Sequence, residues 1–220
     1  MCGRKFSHEE LSWAEYRDIL AIVQPPPNSN FQPNYNICPT QQVPVCLSRE
    51  GRRSLELMHW GLVPSWARDL KFAARMINAR AETLTEKPSF RPLLEKNRCI
   101  IMVSGFYEWQ RNGQAKTPYK VERSDHQPML LAGLWTHNDR LAIDSYAVIT
   151  TAAPASFASI HDRAPAILEK TDISIWLESG WREAENLAKT YRGDLTATRI
   201  SSLVNNNRNN GPELLEPFAG

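Results

Sequence analysis

Several things are missing from this chain, and each absence removes a class of protein. Its 220 residues contain no continuous apolar run of the roughly 18 residues that a membrane helix needs. The N-terminus, Met1-Cys2-Gly3-Arg4-Lys5, lacks the apolar stretch of a secretory signal, so the protein is expected to stay in the cytoplasm. Charge of one sign is lacking too. Lys and Arg number 26 against 24 Asp and Glu, a formal net charge of +2. Bulk composition therefore announces no nucleic-acid binder, and any basic groove must come from where the arginines sit. The four cysteines, Cys2, Cys38, Cys46 and Cys99, include no C-x-x-C pair, and no pair of histidines completes a zinc signature. They read as free thiols, and neither a metal nor a cofactor is expected. No repeat, charge block or linker interrupts the chain, so residues 1–220 read as one domain, and nothing signals an oligomer, so a monomer is expected.

What is present is ordinary globular composition, 42% apolar and 23% charged, arranged mainly as strands. Ser7 with Glu10 has capping-box spacing, and Trp13, Tyr16, Leu20 and Val23 follow at helical intervals, which predicts a helix over 8–23. The stretch from Asn28 to Thr40, rich in Asn and Pro, reads as a long loop. Short apolar or alternating segments predict strands at Val43–Leu47, Leu55–Val63, Met76–Glu82, Cys99–Trp109, Tyr119–Val121, Met129–Trp135 and Ser145–Thr151. Asn112-Gly113 is a hairpin signal, and short helices are expected at 153–159, 172–178 and 182–189. Strands in the middle with helices around them imply an α+β fold, a curved, mostly antiparallel and barrel-like sheet with peripheral helices.

Cys2 is the chemically unusual residue. A small second residue generally permits removal of the initiator Met, which exposes an amine and a thiol on one carbon pair. Their reference pKa values, about 7.7–8.0 and about 8.5, leave both partly deprotonated near neutrality, unlike a lysine at about 10.4. A 1,2-aminothiol has an aldehyde as its characteristic partner. The amine forms a Schiff base, and the thiol closes a thiazolidine ring. The alternative is an incidental thiol at a frayed end. In Met76-Ile77-Asn78-Ala79-Arg80-Ala81-Glu82, alternation puts Asn78, Arg80 and Glu82 on one face, either a polar floor for substrate or a solvated surface. Glu108 sits inside Gly105-Phe106-Tyr107-Glu108-Trp109, and a carboxyl group among aromatics suits general acid/base work unless it faces water from an edge strand. His161-Asp162-Arg163 offers a proton-exchanging ring beside a phosphate-binding guanidinium, or merely a salt-bridged loop. Trp66 can stack on a base or simply pack, and Thr150 and Arg4 say nothing alone.

Taken together and in order, these segments resemble the SRAP family, named for SOS-response-associated peptidase. The segments are Met1-Cys2-Gly3-Arg4, Tyr35-Asn36-Ile37-Cys38-Pro39, Trp60-Gly61-Leu62-Val63-Pro64-Ser65-Trp66, Ile77–Glu82, Gly105–Trp109, Thr150 and Ile160–Pro165. The resemblance implies an abasic-site processing protein that binds single-stranded DNA and bonds Cys2 covalently to the opened sugar of the lesion. By matching position, Asn78 looks like the residue that orients that sugar. Glu108 looks like the acid/base for the Schiff-base steps and His161 like the one that opens the ring and reverses the reaction. Arg4, Arg80 and Arg163 look like phosphate contacts, with Trp66 and Thr150 as parts of the DNA cleft. Two positions depart from the pattern: Cys38 where family members usually have alanine, and Lys5 where many bacterial members have an aromatic residue. Two other uses of the same residues stay open, an N-terminal cysteine hydrolase or autopeptidase, and a single-strand-binding module in which Cys2 is incidental.

Overall fold

A computed structural model describes residues 2–8, 11–22 and 32–218. Thirteen strands and three short α-helices are seen among them. The strands are β1 (Arg4–Ser7), β2 (Asn34–Ile37), β3 (Gln42–Arg49), β4 (Arg52–Trp60), β5 (Asn78–Arg80), β6 (Arg98–Val103), β7 (Gly105–Asn112), β8 (Ala115–Arg123), β9 (Met129–Asn138), β10 (Ile143–Ala152), β11 (Arg163–Pro165), β12 (Ile167–Leu168) and β13 (Leu195–Arg199). The helices are α1 (Trp13–Leu20), α2 (Ile173–Glu178) and α3 (Trp181–Ala184).

Strands β10, β4, β3, β6 and β9 pair in that order, and β9 pairs back onto β10, which closes a five-stranded ring. Only the β10–β4 contact in this ring is parallel. A second, open sheet runs β13-β8-β7-β1-β2. Alternation assigns the ring residues to two apolar clusters. Cys46, Leu55, Ile100, Met102, Ala132, Leu134, Ala147 and Ile149 pack with Tyr16 and Leu20 of α1 and with Ile173 and Trp176 of α2. Their neighbours Val45, Met58, Trp60, Ile101, Leu131, Tyr146 and Val148 pack instead with Cys2, Phe106, Val121 and Leu195 of the open sheet. The strand period of two therefore puts helices on one side of the ring and the open sheet on the other. The barrel-like α+β architecture expected from the sequence is present.

Local departures from the sequence reading have identifiable causes. Ser7 caps no helix, because pairing with Asn34 of β2 claims it for β1. Helix α1 starts after Ser12, whose hydroxyl accepts from the Glu15 backbone N–H, and Ala21 ends it in the left-handed region at φ 52°. The Ser7/Glu10 and Ser12/Glu15 pairs have the same spacing, and only tertiary pairing decides between them. The expected ends of that helix, residues 9–10 and Val23, lie outside the described residues. The supposed loop 28–40 contains β2, even though Asn disfavours strands; its first residues, 28–31, also lie outside the described set. Asn36 makes β2 worthwhile by binding the Asn206 and Asn209 carbonyls through Nδ2 and Arg4 through Oδ1.

The apolar run Cys99–Trp109 is two strands in different sheets, with Ser104 at the crossing. The Ser104 N–H donates to the Phe6 carbonyl and its hydroxyl accepts from the His8 N–H. The expected strand over 76–82 shrinks to β5, which pairs in parallel with β10. Residues 153–159 form turns rather than a helix, anchored by Phe157 edge-on to Phe106. The β7–β8 reversal falls on Gly113 (φ 59°) and Gln114, because Asn112 still pairs with Ala115.

Gly105, where the chain changes sheets, has no room for a side chain. A methyl there would lie 2.4 Å from the Val121 carbonyl oxygen and 2.5 Å from the Phe6 ring. Gly105→Ala is expected to lower the unfolding free energy by about 1–3 kcal/mol, the usual cost of overpacking. Urea denaturation of the two proteins measures it, and equal midpoints would contradict the contact.

Candidate active site

The site is assembled where β1 enters the open sheet. Antiparallel register pairs Arg4 with Tyr107 and Lys5 with Phe106, which brings the residues before β1 to the part of β7 that carries Glu108. Asn78, at the head of β5, donates from Nδ2 to the Cys2 carbonyl at 2.9 Å. The Asn78 Oδ1 is buried and has no hydrogen-bond partner among the described residues. Glu108 is also buried, with Oε1 accepting from the Trp109 backbone N–H at 3.2 Å.

Cys2 is not frayed. Its residue is 1% exposed, in the same apolar cluster as Trp60 and Tyr146. Burial pushes its thiol up to about 12, opposed by a downward pull from Lys5 and reinforced by an upward push from Glu108. The expectation of a partly deprotonated Cys2 thiol is therefore corrected, because desolvation outweighs its neighbours' charges. Lys5 is fully buried as well. Its Nζ donates to the Tyr146 hydroxyl at 2.8 Å and lies 3.5 Å from the Trp60 ring centroid. Burial lowers Lys5 to about 7, with Cys2 and then Cys99 acting to raise it. The two shifts oppose because burial favours the neutral form of each group.

Above this floor lies an open cleft of about 760 Å³. Arg4, Arg80, Arg111, Lys116 and Arg163 line it, together with Glu108, Asp162, His161 and Trp109. Five cations against two carboxylates make the cleft basic although the whole chain is nearly neutral. The cations are not equivalent. Arg4 donates to Asn36 Oδ1 at 2.6 Å and to the Val204 carbonyl at 2.8 Å. Arg163 grips both carboxylate oxygens of Glu82, at 2.6 and 2.9 Å, which holds the Glu82 carboxyl below its usual range. Arg80 is exposed. His161 Nδ1 lies 2.9 Å from both the Arg163 N–H and Asp162 Oδ1, and it cannot accept from one while donating to the other. Because the Asp162 side chain is 86% exposed and well hydrated, we assign Nδ1 as acceptor from the backbone, which puts the ring proton on Nε2. Among the described residues no group of three or more His, Cys, Asp or Glu is placed to hold a metal ion.

The family model for SOS response associated peptidase (SRAP) matches residues 1–207. The chain belongs to the SRAP family. It is 36% identical over 227 residues to the abasic site processing protein YoqW of Bacillus subtilis, covering 98% of this chain and 99% of that one. It is 33% identical to the abasic site processing protein HMCES of Xenopus tropicalis, covering 86% of this chain and 67% of that one. Among solved structures, a protein from Bacteroides thetaiotaomicron superimposes with a TM-score of 0.75 at 26% identity, over 84% of this chain and 85% of that one.

Of the SRAP motif residues, Arg4, Arg80, Glu108, His161 and Arg163 meet at one cleft, and Asn78 and Cys2 lie joined beside it. Thr150 and Trp66 do not line it. Thr150 is fully buried, pairs with Arg80 and Pro165, and presents its carbonyl to Arg163 at 2.5 Å, so it positions a cation rather than facing solvent. Trp66 is 58% exposed, edge-on to Phe72 at 5.2 Å. Sequence reasoning missed Trp109, Arg111 and Lys116 as lining residues. A basic residue on each arm of the Asn112-Gly113 hairpin, Arg111 paired with Lys116, was the available signal. It also gave Lys5 no task, since one charged residue near a terminus normally means solvent.

Lys5 carries a stability consequence. Its folded value, about 7, lies below the unfolded reference of 10.5, so between them the unfolded chain binds more protons and stability rises with pH. The cost of burying the ammonium is full below about pH 7 and relieved above it. Against Lys5→Met, the wild type is expected to gain stability from pH 7 to 9 at up to about 1.4 kcal/mol per pH unit. Denaturation series at both pH values test this, and parallel curves would contradict it.

Proposed function

We propose that this protein processes abasic sites in single-stranded DNA by bonding Cys2 covalently to the lesion. The observation that carries the reading is the position of residue 2, bound by Asn78 and electrically coupled to Glu108, beside a basic cleft. Two relatives named abasic site processing proteins support it, one of them matching from end to end.

The chemistry requires removal of Met1, which frees the Cys2 α-amine. That amine adds to C1′ of the open-chain sugar to give a carbinolamine, which loses water to form an imine. The thiol then adds to the imine carbon and closes a thiazolidine, with one water released overall. Glu108, buried next to Cys2, supplies and removes protons in the dehydration. The Asn78 oxygen, buried and without a partner among the described residues, accepts a hydrogen bond from a sugar hydroxyl while Nδ2 keeps the Cys2 backbone in place. His161, protonated on Nε2, serves as acid in opening the sugar ring. Arg80, Arg111 and Lys116 take the flanking phosphates, since Arg4 and Arg163 already hold protein partners. Trp109 gives an aromatic face for an unstacked base.

Denaturing electrophoresis and mass spectrometry of the Met1-free protein with abasic single-stranded DNA test the reading. A stoichiometric adduct is expected, short of the summed masses by one water. It is lost in Cys2→Ala and when an extra residue precedes Cys2, while non-covalent binding persists. Release of a cleaved peptide without any adduct would favour the cysteine hydrolase instead. Arg80→Ala is expected to weaken DNA binding and flatten the dependence of log affinity on log salt by about one unit. An unchanged slope, measured by titration at several ionic strengths, would take Arg80 out of the interface.

A further inference from the structure

Damaged and undamaged strands carry the same phosphates, so a cleft that grips phosphate tightly cannot tell one strand from the other. Resting on the abasic-site reading, we propose that Glu82 determines the selectivity of the cleft by competing with DNA phosphate for Arg163, which weakens its hold on strands without a lesion.

Three strands place the two side chains against each other. β10 lies between β5 and β11, with Thr150 paired to Arg80 on one side and to Pro165 on the other. β5 ends at Arg80, and a single 3-10 turn, Ala81–Thr83, carries the chain on. From that turn the Glu82 carboxylate reaches across to Arg163, the first residue of β11, and both of its oxygens are engaged, at 2.6 and 2.9 Å. Arg163 lines the basic cleft. Glu82 instead lines a smaller hollow of about 300 Å³, with Thr151, Lys189 and Thr190 among its walls. The ion pair therefore stands between the two hollows, its cation on the DNA side.

The pair leaves Arg163 little to offer an anion. A guanidinium has five N–H groups. Nη1 gives one to Glu82 Oε1, and Nη2 gives one to Glu82 Oε2 and one to the Thr150 carbonyl. The Nε group is buried and has no partner among the described residues. One N–H remains, on Nη1. The strong contact to phosphate is forked, with two parallel N–H bonds, and the edge that would make it is the one Glu82 holds. The partners differ in exposure, 13% for the Arg163 side chain and 53% for that of Glu82. The carboxylate can swing into water while Thr150 keeps Arg163 in place, so an exchange asks for no movement of the strands. Arg163 also keeps the Glu82 carboxyl below its usual range, so the competitor is charged near neutrality. Arg80, Arg111 and Lys116 meet the phosphates of any strand, and a fourth free cation would tighten every complex alike. Discrimination then falls to Cys2, which bonds only to an opened sugar.

Fluorescence anisotropy of the full, Met1-free chain with a labelled, lesion-free single strand tests this at several salt concentrations. Glu82→Gln is expected to tighten binding about five- to tenfold at low salt and to steepen the dependence of log affinity on log salt by about 0.7, one single-strand phosphate contact. Removing both partners, Glu82→Gln with Arg163→Gln, should return affinity to within about threefold of the wild type, since a neutral pair is replaced by a neutral pair. Asp162, which lines the cleft and forms no ion pair with an arginine among the described residues, supplies the control for bulk charge. Asp162→Asn should tighten binding by less than about threefold, because an exposed charge is screened. In crosslinking to an abasic strand, Glu82→Gln should need about five- to tenfold less lesion-free competitor than the wild type to halve the rate. Binding unchanged or weakened by Glu82→Gln would make Glu82 a prop for Arg163 and overturn the proposal. So would a gain that survives the loss of Arg163, or an equal gain from Asp162→Asn. Scalar couplings across the Arg163–Glu82 hydrogen bonds, measured by NMR in the wild type, need no variant to fold. They should persist when lesion-free strand saturates the protein, and their loss would overturn the proposal. If the wild type neither binds a single strand nor forms an adduct, the abasic-site reading itself fails, an outcome distinct from all of these.

Discussion

The pairing of β1 with β7 is the constraint on which the site depends. Only four residues long, β1 is held between β2 and β7, and its register decides what lies beside Cys2. A slip of one residue would invert every side chain. It would turn Lys5 outward, put Arg4 and Phe6 in the apolar cluster, and move the N-terminal segment along β7 away from Glu108. The register is fixed from both faces. Arg4 is tied to Asn36 and the Val204 carbonyl on one side, and Lys5 to Tyr146 and Trp60 on the other. Residues near a chain end normally fray, whereas Cys2 is fastened by Asn78.

Charge is distributed by the same economy. A nearly neutral chain acquires a basic cleft because cations from β1, β5, β7, β8 and β11 converge on one hollow. Two of them, Arg4 and Arg163, are also structural members, their guanidiniums held by Asn36 and the Val204 carbonyl and by Glu82. Thr150 contributes its backbone carbonyl to Arg163. Arg80, Arg111 and Lys116 are exposed and keep their rotamer freedom.

Much of this was legible in the sequence wherever chemistry is local. The alternation around Ala79 correctly put Asn78 and Arg80 on the face opposite the core, and of the two readings left open for Glu108, buried or water-facing, the structure shows the buried one. Most strands of the closed ring were readable from their apolar runs. Long-range pairing was not. Nothing local distinguishes Ser7 from Ser12 as a helix cap, marks Ser104 as the point where the chain changes sheets, or makes Asn34–Ile37 a strand. Each is decided by a partner remote in the chain. Lys5 was illegible for a related reason. A lysine's burial depends on which rings the fold places around it, and Trp60 and Tyr146 come from two other strands.

The burial of Cys2 also bears on chemical durability. Peroxides and disulfides attack thiolates, not thiols, and the four cysteines are all enclosed. At rest the buried Cys2 sulfur offers an oxidant almost no anion to react with. An exposed, acidic nucleophile would be consumed by the first step of the oxidation ladder, to sulfenic acid, under the oxidising conditions that also damage nucleic acids. Under the covalent reading proposed above, its reactivity stays latent until an electrophile is already bonded to the neighbouring nitrogen. Shelf life and selectivity thus arise from a single structural fact.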